Sequence, residues 1–218
     1  MVLCDLNVDE LADINDGLEN LGRASKGYFV DLASQQSIRM MVEEVRRDFG
    51  RVDILINCAA INKREPLLEV EESTFDKIMS VNLRGLFQLT QAIVPLMPEE
   101  GGKIINIGSL TSEVARATVA PYTAAKGGIK QLTRSMAAEW AAHGIQANAI
   151  GPGYIITDMN KALVEDAKFD AWVRGRTPSG RWGVPDDLIG VTVFLASAAS
   201  AYVNGQIIYV DGGILASL

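Results

Sequence analysis

Six short runs of this chain are strand candidates, most of them continuously apolar instead of alternating, and that feature restricts the folds open to it. They are MVLCDL (1–6), GYFVDL (27–32), DILINCAA (53–60), GKIINIGS (102–109), IQANAIGPG (145–153) and QIIYVDGG (206–213). A strand with one face in water alternates polar and apolar residues, so continuously apolar runs need cover on both faces, as in a parallel sheet. Between the runs lie stretches with helical spacing, 8–21, 34–49, 73–97, 121–142 and 185–197. Asn7, Ser34, Ser73 and Pro185 are suited to start these helices, and Gly144 to stop one. The alternation predicts an α/β fold, a doubly wound, mostly parallel sheet with helices on both faces. Residues 154–184, rich in Gly, Pro, Arg and Trp, read as an irregular insertion after a strand's C-terminal end, where substrate loops and lids sit in such folds.

With 218 residues, the chain is long enough for one full core and reads as a single domain, 1–218. A net charge of −7 with no basic stripe argues against nucleic acid or an anionic membrane as partner and for a small molecule. Cys4 and Cys58 are isolated thiols with no CxxC and no second ligand nearby, which predicts neither a disulfide framework nor a metal site. The opening MVLCDLNVDE has no basic region, and no apolar run approaches the ~18 residues of a membrane span. The expected location is the cytoplasm.

The chemistry centres on PYTAAKGGIK, 121–130. Pro121 suits the first position of a helix, which puts Tyr122 and Lys126 in its first turns and on one face at i and i+4. A free phenol has a pKa of about 10 and is a poor base near neutrality. An ammonium ~5 Å away at an effective dielectric of ~20 would favour phenolate by roughly 3 kcal/mol, about two pKa units. The helix dipole adds to that. Such a pair is also common on ordinary solvated helices, so its surroundings decide. Ser109 ends the strand GKIINIGS at the sheet's C-terminal edge, and Asn82 lies inside a helical stretch where its low propensity is unhelpful unless the side chain has a partner.

In these residues the chain resembles the short-chain dehydrogenases/reductases, whose Asn, Ser, Tyr-x-x-x-Lys tetrad is matched by Asn82, Ser109, Tyr122 and Lys126. Further matches are Asp31-Leu32, NCAA (57–60) for the family's NNAG, PGYIIT (152–157) for PGxxxT, and VNGQIIYVDGG (203–213). The resemblance implies a Rossmann-like fold and NAD, with NADP possible, as cofactor. It implies that Tyr122 exchanges a proton with the substrate hydroxyl or carbonyl, that Ser109 hydrogen-bonds that oxygen, that Lys126 lowers the tyrosine pKa and holds the nicotinamide ribose, and that Asn82 anchors a water in the proton relay. Asp5 is implied on the adenosine ribose, where it would repel a 2′-phosphate, Asp31 and Leu32 beside the adenine, Asn57 and Ala59 on the adenosine side, and Pro152, Gly153, Ile155 and Thr157 around the carboxamide. Oligomers, tetramer or dimer, are implied through 73–97, 121–142 and the tail 205–218.

Two departures stand out. Ala60 replaces a family glycine. The family's phosphate-binding glycine turn lies about 20 residues before the ribose-binding acid, whereas only four residues precede Asp5. The expectation is a gap between the strands carrying Asp5 and Asn57, in a chain that is either a fragment or a mis-started reading frame, or else a shift of MVLCDL into the empty slot. FDAWVRGRTPSGRWGVPDDLIGVTVFLAS and INKREP look like the branch of gluconate 5-dehydrogenase and 2-deoxy-gluconate 3-dehydrogenase. A sugar acid is therefore the implied substrate, with a keto-acyl reductase or a non-enzymatic, cofactor-deficient subunit as alternatives. Arg64, and more weakly Arg181, could meet a carboxylate. His143 reads as a helix-end residue before Gly144, and Trp140, Trp172 and Trp182 as packing residues.

Overall fold

A computed structural model describes residues 1–217. Leu218, the last residue of the tail named above, lies outside the described residues. Six parallel strands form, β1 Val2–Asp5, β2 Lys26–Phe29, β3 Ile54–Asn57, β4 Lys103–Ile107, β5 Gln146–Pro152 and β6 Ile207–Val210. Each is shorter than its apolar run. β2 stops early because Asp31 builds a turn, its Oδ1 accepting from the Ala33 N–H at 2.9 Å while its own N–H donates to Ser37 Oγ at 2.9 Å.

Helices α1 Val8–Asn20 and α2 Gln35–Phe49 begin where expected, with Asn7 Oδ1 accepting from Asp9 N at 3.2 Å and Ser34 Oγ from Ser37 N at 3.2 Å. The expected helix 73–97 is instead composite, α3 Glu72–Met79, a π-helical stretch Ser80–Gly85, α4 Leu86–Ile93 and a 3₁₀ turn Val94–Leu96. Ser73 does not cap it. The chain is already helical at Glu72, and the Ser73 hydroxyl donates to Glu71 Oε2. The π stretch coincides with a backbone squeeze, since a Cβ on Gly85 would stand 2.5 Å from the Leu32 carbonyl oxygen. Helix α5 Ala120–Trp140 starts one residue before Pro121, and Gly144, at φ 70°, ends the 3₁₀ turn Ala141–His143 that follows it. Residues 154–184 are less irregular than expected, for they hold α6 Lys161–Val164 and α7 Ala167–Arg176. A 3₁₀ turn Pro185–Leu188 leads into α8 Ile189–Ala196.

Strand β4 shows why the runs are continuously apolar. Its neighbours Ile104 and Ile105 point to opposite faces, Ile104 packing with Ile129 and Met136 of α5 and Ile105 with Leu195 of α8. The sheet is divided, however. β1 pairs only with β2, from Val2↔Lys26 to Asp5↔Phe29, and β3–β4–β5–β6 form a separate ladder. MVLCDL therefore does not shift against β3. Val2 packs on the cluster of Tyr28, Val30, Met41 and Val42, and Cys4 Sγ lies 3.7 Å from Met41 Sδ, so α2 keeps β1 beside β2. The expected separation of Asp5 from Asn57 is what forms, with α2 and α4 bridging the two ladders through one shared cluster. Cover is incomplete here: Ile54 and Ile56 of β3 stay 43% and 44% exposed, against the expectation of a sheet buried on both faces.

Gly85→Ala supplies a better helix former but drives its Cβ into main chain that cannot swing away. We expect a loss of about 1–3 kcal/mol in denaturant unfolding. Gly17→Ala in α1, where a Cβ meets nothing within 4 Å, should gain up to about 1 kcal/mol.

Candidate active site

The site is assembled where β4 hands over to α5. Ser109 follows β4 in extended conformation, and its Oγ accepts from Thr111 N at 3.1 Å. Ser112 ties this turn to the helix, accepting from Ser109 N at 3.2 Å and donating to the Lys126 carbonyl at 2.8 Å. The Lys126 ammonium, 2% exposed, donates to the Ile107 carbonyl at 2.6 Å and stands 5.5 Å from the centre of the Tyr122 ring. The Tyr122 side chain lies close enough to Ser109 for the serine to favour the phenolate. Ser109, Tyr122 and Lys126 thus converge as the spacing implied.

Asn82 joins them by a route the sequence did not show. It is 1% exposed inside the π-helical stretch, which packs on α5. Its Oδ1 accepts from Ile61 N and its Nδ2 donates to Ile61 O, both at 2.8 Å. The side chain clamps the loop after β3 and so holds the shape of that loop.

The electrostatics differ from expectation. Burial holds the Lys126 ammonium down to about 8, because a cation removed from water is disfavoured. Burial likewise raises Tyr122 above the ordinary phenol value, opposed by the Ser109 hydrogen bond and the charge of Arg64. Arg64 is a cation that favours the phenolate. Lys126 stays largely protonated below its folded value of about 8, with its ammonium bound to the Ile107 carbonyl.

The residues implied for a dinucleotide are dispersed along the C-terminal ends of the strands. Asp5 ends β1, exposed, with Oδ1 accepting from Asn7 N at 2.9 Å. Asp31 is occupied by its own turn, and Leu32 packs against the α2–α4 cluster. Asn57 turns inward, 7% exposed, its Nδ2 donating to Thr90 Oγ1 at 3.0 Å and Asn106 Oδ1 at 2.8 Å, while Asn106 donates to Thr133 Oγ1 at 2.9 Å. That interior network occupies the Asn57 side chain and leaves its main chain to face the crevice on the adenosine side implied for it. Its partner Asn106 was visible only as one polar letter in an otherwise apolar strand. Ala59 is exposed on the loop after β3. Pro152 closes β5, Gly153 lies so close to Asp211 that a Cβ would be 2.7 Å from its Cα, Ile155 bridges to Gly183, and Thr157 is exposed ahead of a 3₁₀ turn. Pro152, Gly153, Ile155 and Thr157 thus follow one another along the segment that leaves β5, next to the strand end that carries Ser109. At the pyrophosphate end, among the described residues, no glycine turn from strand to helix lies ahead of Asp5.

On the substrate side Arg64 reaches over from the loop after β3. Its Nη2 donates to Asn160 Oδ1 at 3.2 Å, Asn160 Nδ2 donates to the Ile155 carbonyl at 2.9 Å, and the buried Arg64 Nε has no hydrogen-bond partner. Arg181 is not available to a substrate, because both arms of its fork bind Asp187, at 2.7 and 2.8 Å. Trp182, 2% exposed, donates to Asp170 at 2.8 Å and packs edge-on against Tyr154, and Trp172 joins the same aromatic group. Trp140 packs on the α5 cluster.

For Lys126 the linkage is testable. Its unfolded value is about 10.4 and its folded value about 8, so between these the unfolded chain binds more protons and stability rises with pH. We expect unfolding free energy, measured against Lys126→Met, to increase for the wild type from pH 8 to 10, with the variant more stable than wild type at pH 7.

A family model described as enoyl-(acyl carrier protein) reductase matches residues 1–215. The gluconate 5-dehydrogenase of Gluconobacter oxydans (strain 621H) is 43% identical over 219 residues, covering 100% of this chain and 86% of that protein. The 5-keto-D-gluconate 5-reductase of Escherichia coli (strain K12) is 46% identical over 189 residues, 86% of this chain and 74% of that one. The crystal structure of a gluconate 5-dehydrogenase from Burkholderia cenocepacia J2315, in complex with NADP and tartrate, superposes with a TM-score of 0.96 at 44% identity over 100% of this chain and 86% of its own. With its serine, tyrosine and lysine gathered at the end of a parallel strand, the chain belongs to the short-chain dehydrogenase/reductase family.

Proposed function

We propose that the protein interconverts a secondary alcohol and a ketone on a sugar acid such as gluconate, using NAD(P). The observation that carries this is the gathering of Ser109, Tyr122 and the buried Lys126 at the end of β4, together with a partly buried Arg64 whose Nε is unsatisfied and whose charge acts on Tyr122. It joins proton transfer to a carboxylate anchor. Relatives named for gluconate and 5-keto-gluconate chemistry support the choice of substrate.

The roles proposed for the residues are these. Tyr122 takes the proton from the substrate hydroxyl in oxidation and returns it to the ketone in reduction. Ser109 donates to the same oxygen and orients it. Arg64 binds the carboxylate and, by its charge, eases loss of the phenolic proton. Lys126 holds the nicotinamide ribose hydroxyls, and the Ile155 backbone with Pro152, Gly153 and Thr157 orients the carboxamide. Asp5, Asp31, Leu32 and Ala59 flank the adenosine. When bound, NAD(P) supplies the hydride acceptor or donor. Asp5 favours NAD, because a carboxylate repels a 2′-phosphate; the Burkholderia structure holds NADP. Residues 154–184 serve as substrate loop and lid of a single domain. The protein acts in the cytoplasm as a homo-oligomer, tetramer or dimer, and the groove lined by Met79, Leu83, Phe87 and Leu132 between the π-helical stretch and α5 supports assembly through those helices.

Isothermal titration with NAD and NADP tests the cofactor. Micromolar binding of NAD, with Asp5→Ala shifting preference toward NADP, is the expected result, whereas millimolar or undetectable binding of both would favour a non-enzymatic subunit. Because Tyr122 sits above the ordinary phenol value, gluconate oxidation should climb steadily from pH 7 toward 10 as phenolate forms. Arg64→Gln should raise the KM for gluconate by roughly tenfold or more and move that limb to higher pH. An unchanged KM would retire the anchor. Faster turnover of 2-deoxy-gluconate or a 3-oxoacyl thioester than of gluconate would reassign the substrate.

A further inference from the structure

A second arginine, Arg116, stands beside Arg64 without a role in any of the motifs above. It is half-buried in the loop between Ser109 and α5, and its guanidinium lies 4.4 Å from the centre of the Phe169 ring of α7. Tyr154 senses the charge of both arginines, and the charge of Arg116 acts against that of Arg64. Among the described residues neither has a carboxylate within ion-pair distance, in a chain whose net charge is −7. Two like charges held together with acids plentiful elsewhere are a costly arrangement that an anion between them would relieve.

The backbone enforces this arrangement. Thr118 has φ 70°, the one positive φ outside glycine among the described residues, and a β-branched residue there carries strain. Its carbonyl accepts from Glu65 N at 2.9 Å, which pins the Arg116 loop to the residue next to Arg64. Arg64 in turn is held to the start of the 154–184 segment through Asn160, and Arg116 to α7 through Phe169. Both cations are therefore oriented before any ligand arrives, and the Arg64 Nε still lacks an acceptor.

We propose that Arg64 and Arg116 form a two-arginine clamp for a carboxylate, with Arg116 the substrate-binding residue that selects sugar acids over neutral polyols. This rests on the sugar-acid reading and deepens it. Arg64 is close enough for its charge to act on Tyr122, so a carboxylate in the clamp lies within one short polyol chain of the proton-transferring hydroxyl. The Phe169 stacking couples occupancy of the clamp to α7 and its aromatic neighbours.

Trp172 and Trp182, packed with Tyr154 and Phe169, give a readout that needs no cofactor. Titrating the whole protein with D-gluconate should change tryptophan emission, sorbitol should not compete, and rising chloride should weaken the response. Arg116→Gln should weaken gluconate binding by about tenfold or more, with Arg116→Lys intermediate, since it keeps the charge and loses the fork. If Arg116→Gln does not fold, the lysine variant alone decides, by binding more weakly than wild type or not. Wild-type gluconate affinity in both variants, or a wild type blind to gluconate, overturns the clamp. Turnover of gluconate that Arg116→Gln leaves untouched removes the clamp and leaves the sugar-acid reading standing. Arg116-dependent gluconate binding without turnover in the presence of NAD(P) does the reverse.

Discussion

The structure around the site depends on one buried hydrogen bond, from the Lys126 ammonium to the Ile107 carbonyl. It joins the first turns of α5 to the last residue of β4. Because Ser109 lies two residues beyond Ile107 and Tyr122 one turn before Lys126, that bond fixes the distance at which a serine and a phenol can share one substrate oxygen. Burying an ammonium is costly, and its depressed pKa measures the cost. Main-chain and hydroxyl partners offset it locally, with Ser112 closing the same junction by a second route.

The division of charge follows from that commitment. A lysine engaged with a carbonyl in a dry interior is a holding and orienting group more than a source of field. A further cation acting on the phenol, Arg64, comes from the loop after β3, which Asn82 shapes by gripping Ile61 at both main-chain atoms. The π-helical stretch that carries Asn82 also brings Gly85 against Leu32, so one local departure from regular helix positions both the catalytic loop and the turn after β2. Substrate-side residues are tied to these loops by side-chain contacts, Arg64 to Asn160 and Arg116 to Phe169.

Much of the fold was legible because it rests on local rules. Asn7 and Ser34 cap their helices through side-chain oxygens, Gly144 takes the left-handed conformation, and Ile104 and Ile105 bury opposite faces of one strand. The tetrad positions were legible because Tyr-x-x-x-Lys is a one-turn spacing and Ser109 ends a strand. The misreadings have a common origin in contacts distant in sequence. Ser73 looks like a cap until the helix is seen to start at Glu72. Arg181 looks free until Asp187 takes its fork, and of the two places open to β1 it is packing on α2 that selects the one beside β2.

Strand and helix order, the parallel sheet and the residues able to exchange a proton were determined by the sequence alone, since periodicity and caps act over a few residues. Tertiary structure decided where charge resides: which cation acts on Tyr122, which arginines stand unpaired, and how far burial shifts each group. Desolvation and Coulomb interaction depend on distances through space, and neither Lys126 nor Arg116 shows its surroundings until the loops after β3 and β4 fold against each other.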